Sequence, residues 1–106
     1  MRERMNQTKW NELFHAFYQN QCDSDCAVSV FYRTKARNGC ISSWDNLWEH
    51  FGCEFENWKH LEWLQIELTD ENRGFVTDTL KQIHVPGEIQ RNFVFVYACR
   101  QDCDYL

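Results

Sequence analysis

Two pairs of cysteines stand among aspartates in this chain, and their residue types are the ones that could most readily do chemistry. One pair lies in "QCDSDC", residues 21–26, the other in "CRQDCDYL", residues 99–106. Cys22, Cys26, Cys99 and Cys103 would form a tetrahedral four-thiolate zinc site if the end of the first helix met the end of the last strand. Each pair, however, has three residues between its cysteines, where a zinc knuckle usually has two. Asp23, Asp25, Asp102 and Asp104 would raise the thiol pKa values, which opposes a reactive thiolate. A disulfide within or between the pairs is the third reading. Inert thiols are the expectation, with no metal and no other cofactor, because reduced cysteines are the rule where no secretory signal is read.

Other chemistry finds less support. His50 lies three residues before Cys53, but a nucleophile also needs an orienting group and an oxyanion hole. No glycine-rich elbow offers one. Asp45 and Glu49 would share a helical face, with Glu54 and Glu56 just beyond, and such a cluster could hold a divalent cation or a general acid. A solvated face is the plainer reading. Glu62 and Glu67 fall on opposite sides of one expected strand, so they cannot work as a pair. An enzyme is therefore less expected than a binding protein.

The aromatic residues point elsewhere. The 106 residues include five Trp, eight Phe and four Tyr, and tryptophan is seldom hidden completely in a small domain. Trp44, Trp48 and Trp58 stand among Asp45, Glu49, Glu54, Glu56 and Glu62, the composition of a hot-spot surface facing a basic protein partner. The alternative is that the rings close one side of the core. The surface could also be a homodimer seam. A net charge of −5 argues against gripping nucleic acid, and no Gly-rich loop cradles a phosphate. The opening "MRERMNQTKW" is polar, and no apolar run reaches membrane-spanning length. A cytoplasmic setting is the expectation.

These residues need elements to position them. Trp10, Leu13, Phe14, Phe17 and Tyr18 recur at helical spacing after Thr8 as N-cap, which predicts a helix of about three turns. Residues 27–37 alternate as a strand, with Val28, Val30 and Tyr32 on one face. The Asn38-Gly39 pair suits a type I′ hairpin turn leading to Ile41. Trp44, Leu47, Trp48 and Phe51 predict either a two-turn helix capped at Ser42 or Ser43 and stopped at Gly52, or an irregular aromatic segment. Residues 60–68 form a strand with Leu64, Ile66 and Leu68 in the core. Phe75, Val76, Leu80 and Ile83 mark a helix, which Thr77 or Asp78 could cap in a shorter form. Pro86-Gly87 ends it. Residues 92–100 are the strongest strand, apolar on both faces and so central.

Four stretches carry a resemblance: "W..LF" at residues 10–14, "SW...W" at 43–48, "LEWLQIEL" at 61–68, and "VFVYACR" following a helix and "VPGE". Together the chain resembles a group of small uncharacterised bacterial proteins of unknown function. It departs from them at Ala98-Cys99, where they carry Gly-Tyr. The resemblance implies a compact α/β domain and supplies no catalytic residue. The expected fold is therefore α+β: one globular domain over residues 1–106, with residues 1–6 flexible. A mixed or antiparallel sheet of three to five strands would be packed by two or three helices. The expected function is that of an acidic protein-binding domain, an inhibitor or immunity-type regulator that occludes a basic partner. A four-cysteine zinc domain and a small hydrolase are the alternatives.

Overall fold

A computed structural model describes residues 5–23, 27–54, 60–98 and 104–106. The elements run α1 (Gln7–Cys22), β1 (Tyr32–Ala36), α2 (Trp48–Glu54), β2 (Leu61–Glu67), α3 (Arg73–Ile83), β3 (Gly87–Ile89) and β4 (Phe93–Tyr97). The four strands form one sheet in the order β1-β2-β4-β3. Every neighbouring pair is antiparallel, so of the two expected forms the sheet is the antiparallel one. β2 and β3 run in the same direction with β4 inserted between them, and α3 makes the crossover. The described helices send their apolar side chains to one side of this sheet: Trp10, Leu13 and Phe17 from α1, Trp48 and Phe51 from α2, Val76 and Leu80 from α3. They meet Tyr32, Leu64, Ile66, Val94 and Val96 from the strands.

The helical periods held better than the helix boundaries. Asn6, not Thr8, caps α1, its side-chain Oδ1 accepting from the Lys9 N–H at 2.8 Å. The helix is thus longer than expected. Met5 is 1 % exposed and donates its N–H to the Ala98 carbonyl at 3.1 Å. At the far end, Asn20 clamps the returning chain: its amide donates to the Val28 carbonyl and accepts from the Val28 N–H.

The expected turn and second helix are both revised. Gly39 has φ +96°, while Asn38 does not enter the left-handed region. Gly39 N–H donates to the Ala36 carbonyl and Ala36 N–H to the Cys40 carbonyl. That is a three-residue loop with a type I turn and a glycine bulge, not a type I′ turn. The segment after it stays extended: Lys35 bridges Ile41 and Tyr32 bridges Asp45 along the free edge of β1. Asp45 exchanges both backbone bonds with Tyr32, at 2.8 and 2.9 Å. Residues so engaged cannot also be helical, so α2 starts only at Trp48. Its first N–H is capped from outside, by Gln21 Oε1 at 2.6 Å. Ser42 caps nothing helical; its hydroxyl accepts from the Thr34 N–H. Gly52 lies inside α2 rather than ending it. Tertiary hydrogen bonds have overridden helical spacing.

α3 begins at Arg73, two residues before the expected Phe75, with Asn72 as its N-cap, so neither Thr77 nor Asp78 caps it. Asn72 is fully buried and ties three segments together. Its amide donates to the Ser29 and Glu67 carbonyls and accepts from the Thr69 N–H, at 2.8–3.1 Å. Asn72→Ala leaves those buried groups without partners. We expect a loss of about 1–3 kcal/mol, seen as a lower urea midpoint with unchanged slope. At the other end His84 takes φ 65° and its N–H donates to the Leu80 carbonyl, closing the helix before Pro86. The short strand β3 that follows had no signal beyond the Pro-Gly break.

The β1–β2 register slips between Lys35 and Ala36, so that Lys35 faces Trp63 while Ala36 faces Leu61. The extra residue, Glu62, breaks strict alternation. Leu61 can therefore be fully buried although it shares parity with Trp63. Among the described residues, the β1 edge is closed and the β3 edge is paired at its Gly87 end. Ile41 to Asp45 run along β1, and at β3 Gly87 N–H donates to the Asp104 carbonyl and Leu106 N–H to that of Val85.

Candidate functional site

With the helices on one side, the other face of the sheet is where alternate residues reach out. It presents Arg33 and Lys35 from β1, Trp63, Gln65 and Glu67 from β2, Phe93, Phe95 and Tyr97 from β4, and Glu88 from β3. No described helix lies on it. The rings form a continuous patch: Trp63 meets Phe95 edge-on at 5.4 Å, and Phe95 stacks with Tyr97 at 6.0 Å. Trp44 reaches over from the β1 edge. Its ring stacks with Phe93 at 5.9 Å and lies 4.9 Å beneath the Arg33 guanidinium. Since Arg33 pairs with Gln65 and Phe93 with Glu67, Trp44 bridges across β2. Gln65 under it is only 4 % exposed, and its Oε1 accepts from Arg33 Nε at 2.7 Å.

Polar groups brace this face. The Tyr97 hydroxyl donates to Glu88 Oε1 at 2.7 Å. Lys35 pairs with Glu62 at 2.9 Å, partly exposed on both sides, a geometry worth little in stability. Beyond Glu67 the face ends in a hollow of about 380 Å³ lined by Ser29, Phe31, Glu67, Thr69, Asp70 and Glu71. Three carboxylates and an exposed phenyl ring there would favour an ammonium or guanidinium group over an anion.

Among the described residues, the members of the expected tryptophan–carboxylate surface do not come together. Trp48 is 1 % exposed, stacked on Phe17 at 4.5 Å and tilted against Tyr32 at 4.3 Å. Its indole N–H donates to the Val30 carbonyl. It is a core residue and cannot fill a partner's pocket. Trp44, four residues earlier, is 37 % exposed on the opposite side of the sheet. The neighbour stacked on it is a cation, not a carboxylate. Asp45 and Glu49 do not share a helical face, because α2 begins after Asp45. Asp45 accepts from His50 Nδ1 at 2.7 Å, and Glu49 from Gln21 Nε2 at 3.3 Å. Trp58, Glu56 and the side chain of Glu54 lie outside the described residues.

Among the cysteines, Cys26, Cys99 and Cys103 also lie outside the described residues. Cys22 and Cys40 are exposed free thiols. The Cys22 side chain bonds the Tyr18 hydroxyl and, with Glu49, pushes the Tyr18 phenol above its ordinary pKa. Among the described residues, no group of three His, Cys, Asp or Glu side chains could hold a metal ion. No described helix is long and apolar enough to cross a membrane.

Among the described residues, Asp45 is the one carboxylate held below its ordinary range. Partial burial alone would push it up. The bonds from His50 and from the Leu47 and Asn46 N–H groups outweigh that, together with the charge of His50. A depressed folded pKa adds stability above the unfolded value, about 4, and loses it as pH falls through the folded value. Thermal melts between pH 6 and pH 3 should therefore show a smaller acid-induced fall in Asp45→Asn than in the wild type. Equal falls would mean that the turn before α2 does not feel this carboxylate.

Comparison with known families adds a placement but no activity. A family model matches residues 2–103, nearly the whole chain. The chain belongs to DUF6678, a family of unknown function. No curated protein and no solved structure matches it. Membership in DUF6678 agrees with the resemblance seen in the motifs and names no ligand. The outer-face patch is what the sequence reading missed. Trp63, Phe93, Phe95 and Tyr97 had the correct alternation, but nothing marked which side the helices would leave bare.

Proposed function

We propose that this chain is a protein-binding domain, not a catalyst, and that the outer face of the sheet is its contact surface. One observation carries the reading: five rings, Trp44, Trp63, Phe93, Phe95 and Tyr97, lie on the side of the sheet opposite the described helices. Aromatic anchors flanked by Arg and carboxylates are the composition of interface centres. Occlusion needs no reactive group, which suits an inhibitor or immunity-type factor. The hollow at Phe31, Glu67, Asp70 and Glu71 is where a partner's Lys or Arg would seat, so the expected basic partner keeps a place to act.

A photo-crosslinking residue placed at Phe95, on the outer face, should yield protein adducts under native conditions. The same residue at Gln82, exposed on α3, should yield none. Trp63→Ala should reduce the Phe95 adducts at least about tenfold, the scale of a hot-spot residue. Adducts at neither position would overturn the reading.

A further inference from the structure

We propose that the protein covering this face is a second copy of the same chain, packed sheet to sheet; the inference rests on the protein-binding reading above. One row of residues carries it. Arg33 pairs with Gln65, Gln65 with Phe95, and Phe95 with Glu88, in register across all four strands. Residues opposite one another in a ladder share a face. The row therefore has a cation at one end, a carboxylate at the other, and an amide and a phenyl ring between them.

That order is complementary to itself. Consider a two-fold axis between two such faces, parallel to the strands and passing between Gln65 and Phe95. It lays Arg33 of one copy over Glu88 of the second, and Glu88 of the first over Arg33 of the second. An isologous interface requires this reciprocity. The next row, Lys35–Trp63–Tyr97, places the half-buried Trp63 of each copy over Tyr97 of the other, which at 8 % exposure adds only its edge. A face of one sign would repel its own copy, and this face does not.

The rest of the sheet supports the same occupant. The β1 edge is already paired by residues 41–45, and the β3 edge is met at Gly87 by Asp104. A partner strand therefore finds little free edge at β1, which favours recruitment through the face. Two such faces would form a sandwich with sheets about 10 Å apart, and the Trp44 ring fits that layer. Strand spacing and rise give a footprint of about 19 Å by about 17 Å. That is below the size of a stable interface and falls among weak, transient contacts. The dimer should therefore form in a concentration-dependent way and weaken with salt.

Charge exchange on the full chain tests this. Sedimentation velocity over a dilution series should show a monomer–dimer equilibrium in the wild type. Arg33→Glu sets carboxylate over carboxylate twice, and Glu88→Arg sets guanidinium over guanidinium twice. Each should weaken the dimer at least tenfold. An equimolar mixture of the two variants should dimerise, since every contact then joins opposite charges. Circular dichroism checks folding, and Arg33→Gln with Glu88→Gln replaces any reversal that unfolds, with dimer weakening as the readout. A wild type that stays monomeric at every concentration overturns the second-copy proposal. So does a dimer that both reversals leave intact, or reversals that separate the copies with no recovery on mixing. Adducts at Phe95 with a different protein would, in that event, leave the protein-binding reading standing. An absence of any adduct would remove both.

Discussion

Trp48→Ala is expected to cost about 3–5 kcal/mol of folding stability, out of a total that for domains of this size is about 5–15 kcal/mol. The indole stacks on Phe17, lies tilted against Tyr32 and meets Phe51 edge-on at 5.4 Å. It therefore joins α1, β1 and its own helix α2. Removing it opens a cavity between three elements and leaves the Val30 carbonyl without its indole donor. Urea denaturation followed by near-UV circular dichroism should show the midpoint falling with little change in slope. Cross-linking at Phe95 should persist in the molecules that stay folded, because Trp48 does not reach the outer face. A loss below about 1 kcal/mol would contradict its place in the core.

Gly87→Ala should be the other severe change, for a different reason. A Cβ there would press into the Phe95 carbonyl oxygen, with the Phe95 carbonyl carbon at 3.2 Å and Val96 Cα at 3.4 Å. These are backbone atoms of β4, which is held on its other side by β2. β4 cannot retreat, so β3 must peel away. We expect a loss near the top of the overpacking range, about 3 kcal/mol. Hydrogen exchange would localise it. Gly87, Tyr97 and Leu106 amides, all bonded in this corner, should lose protection together, while the β1–β2 ladder keeps it. Because Glu88 is the next residue, the monomer–dimer equilibrium should also shift toward monomer. Gly74→Ala is the control, since nothing lies within 4 Å of a Cβ there. Uniform loss of protection across the sheet would mean that β3 is not a separable edge.

The strands were legible because alternation is a local property. Leu64, Ile66 and Leu68 on one side of β2, and Val94, Val96 and Ala98 on one side of β4, follow from period two alone. The stripe of α1 followed equally from spacing. What failed depended on distant partners. The stretch from Trp44 to Phe51 has helical spacing, yet the Tyr32 backbone claims Asp45 and pulls Trp44 into an extended edge. Two tryptophans four residues apart thus reach opposite faces of the sheet. The carboxylates near them in sequence went to His50, Gln21 and Lys35, which no short window could show. β3 is only three residues long and lacks a period to read. The site itself was half visible. Phe93, Phe95 and Tyr97 were seen as one face of a buried strand, because apolar residues on both faces usually mean burial on both. Which face lacks a helix is decided by the crossover of α3, not by β4.

The place of β4 between β2 and β3 also has a consequence for how the chain is made. As residues emerge from the ribosome in order, β1, β2 and β3 are all present before β4 exists. β2 and β3 must then wait a strand's width apart, each with one edge unpaired, until residues 93–97 arrive to fill the gap. The filler is the most apolar segment of the chain, "FVFVY", without charge or proline. Such a segment in search of an edge pairs readily with the wrong one. The slow and hazardous step of folding should therefore be the last insertion, and crowding of nascent chains should matter more to yield than the stability of the finished domain.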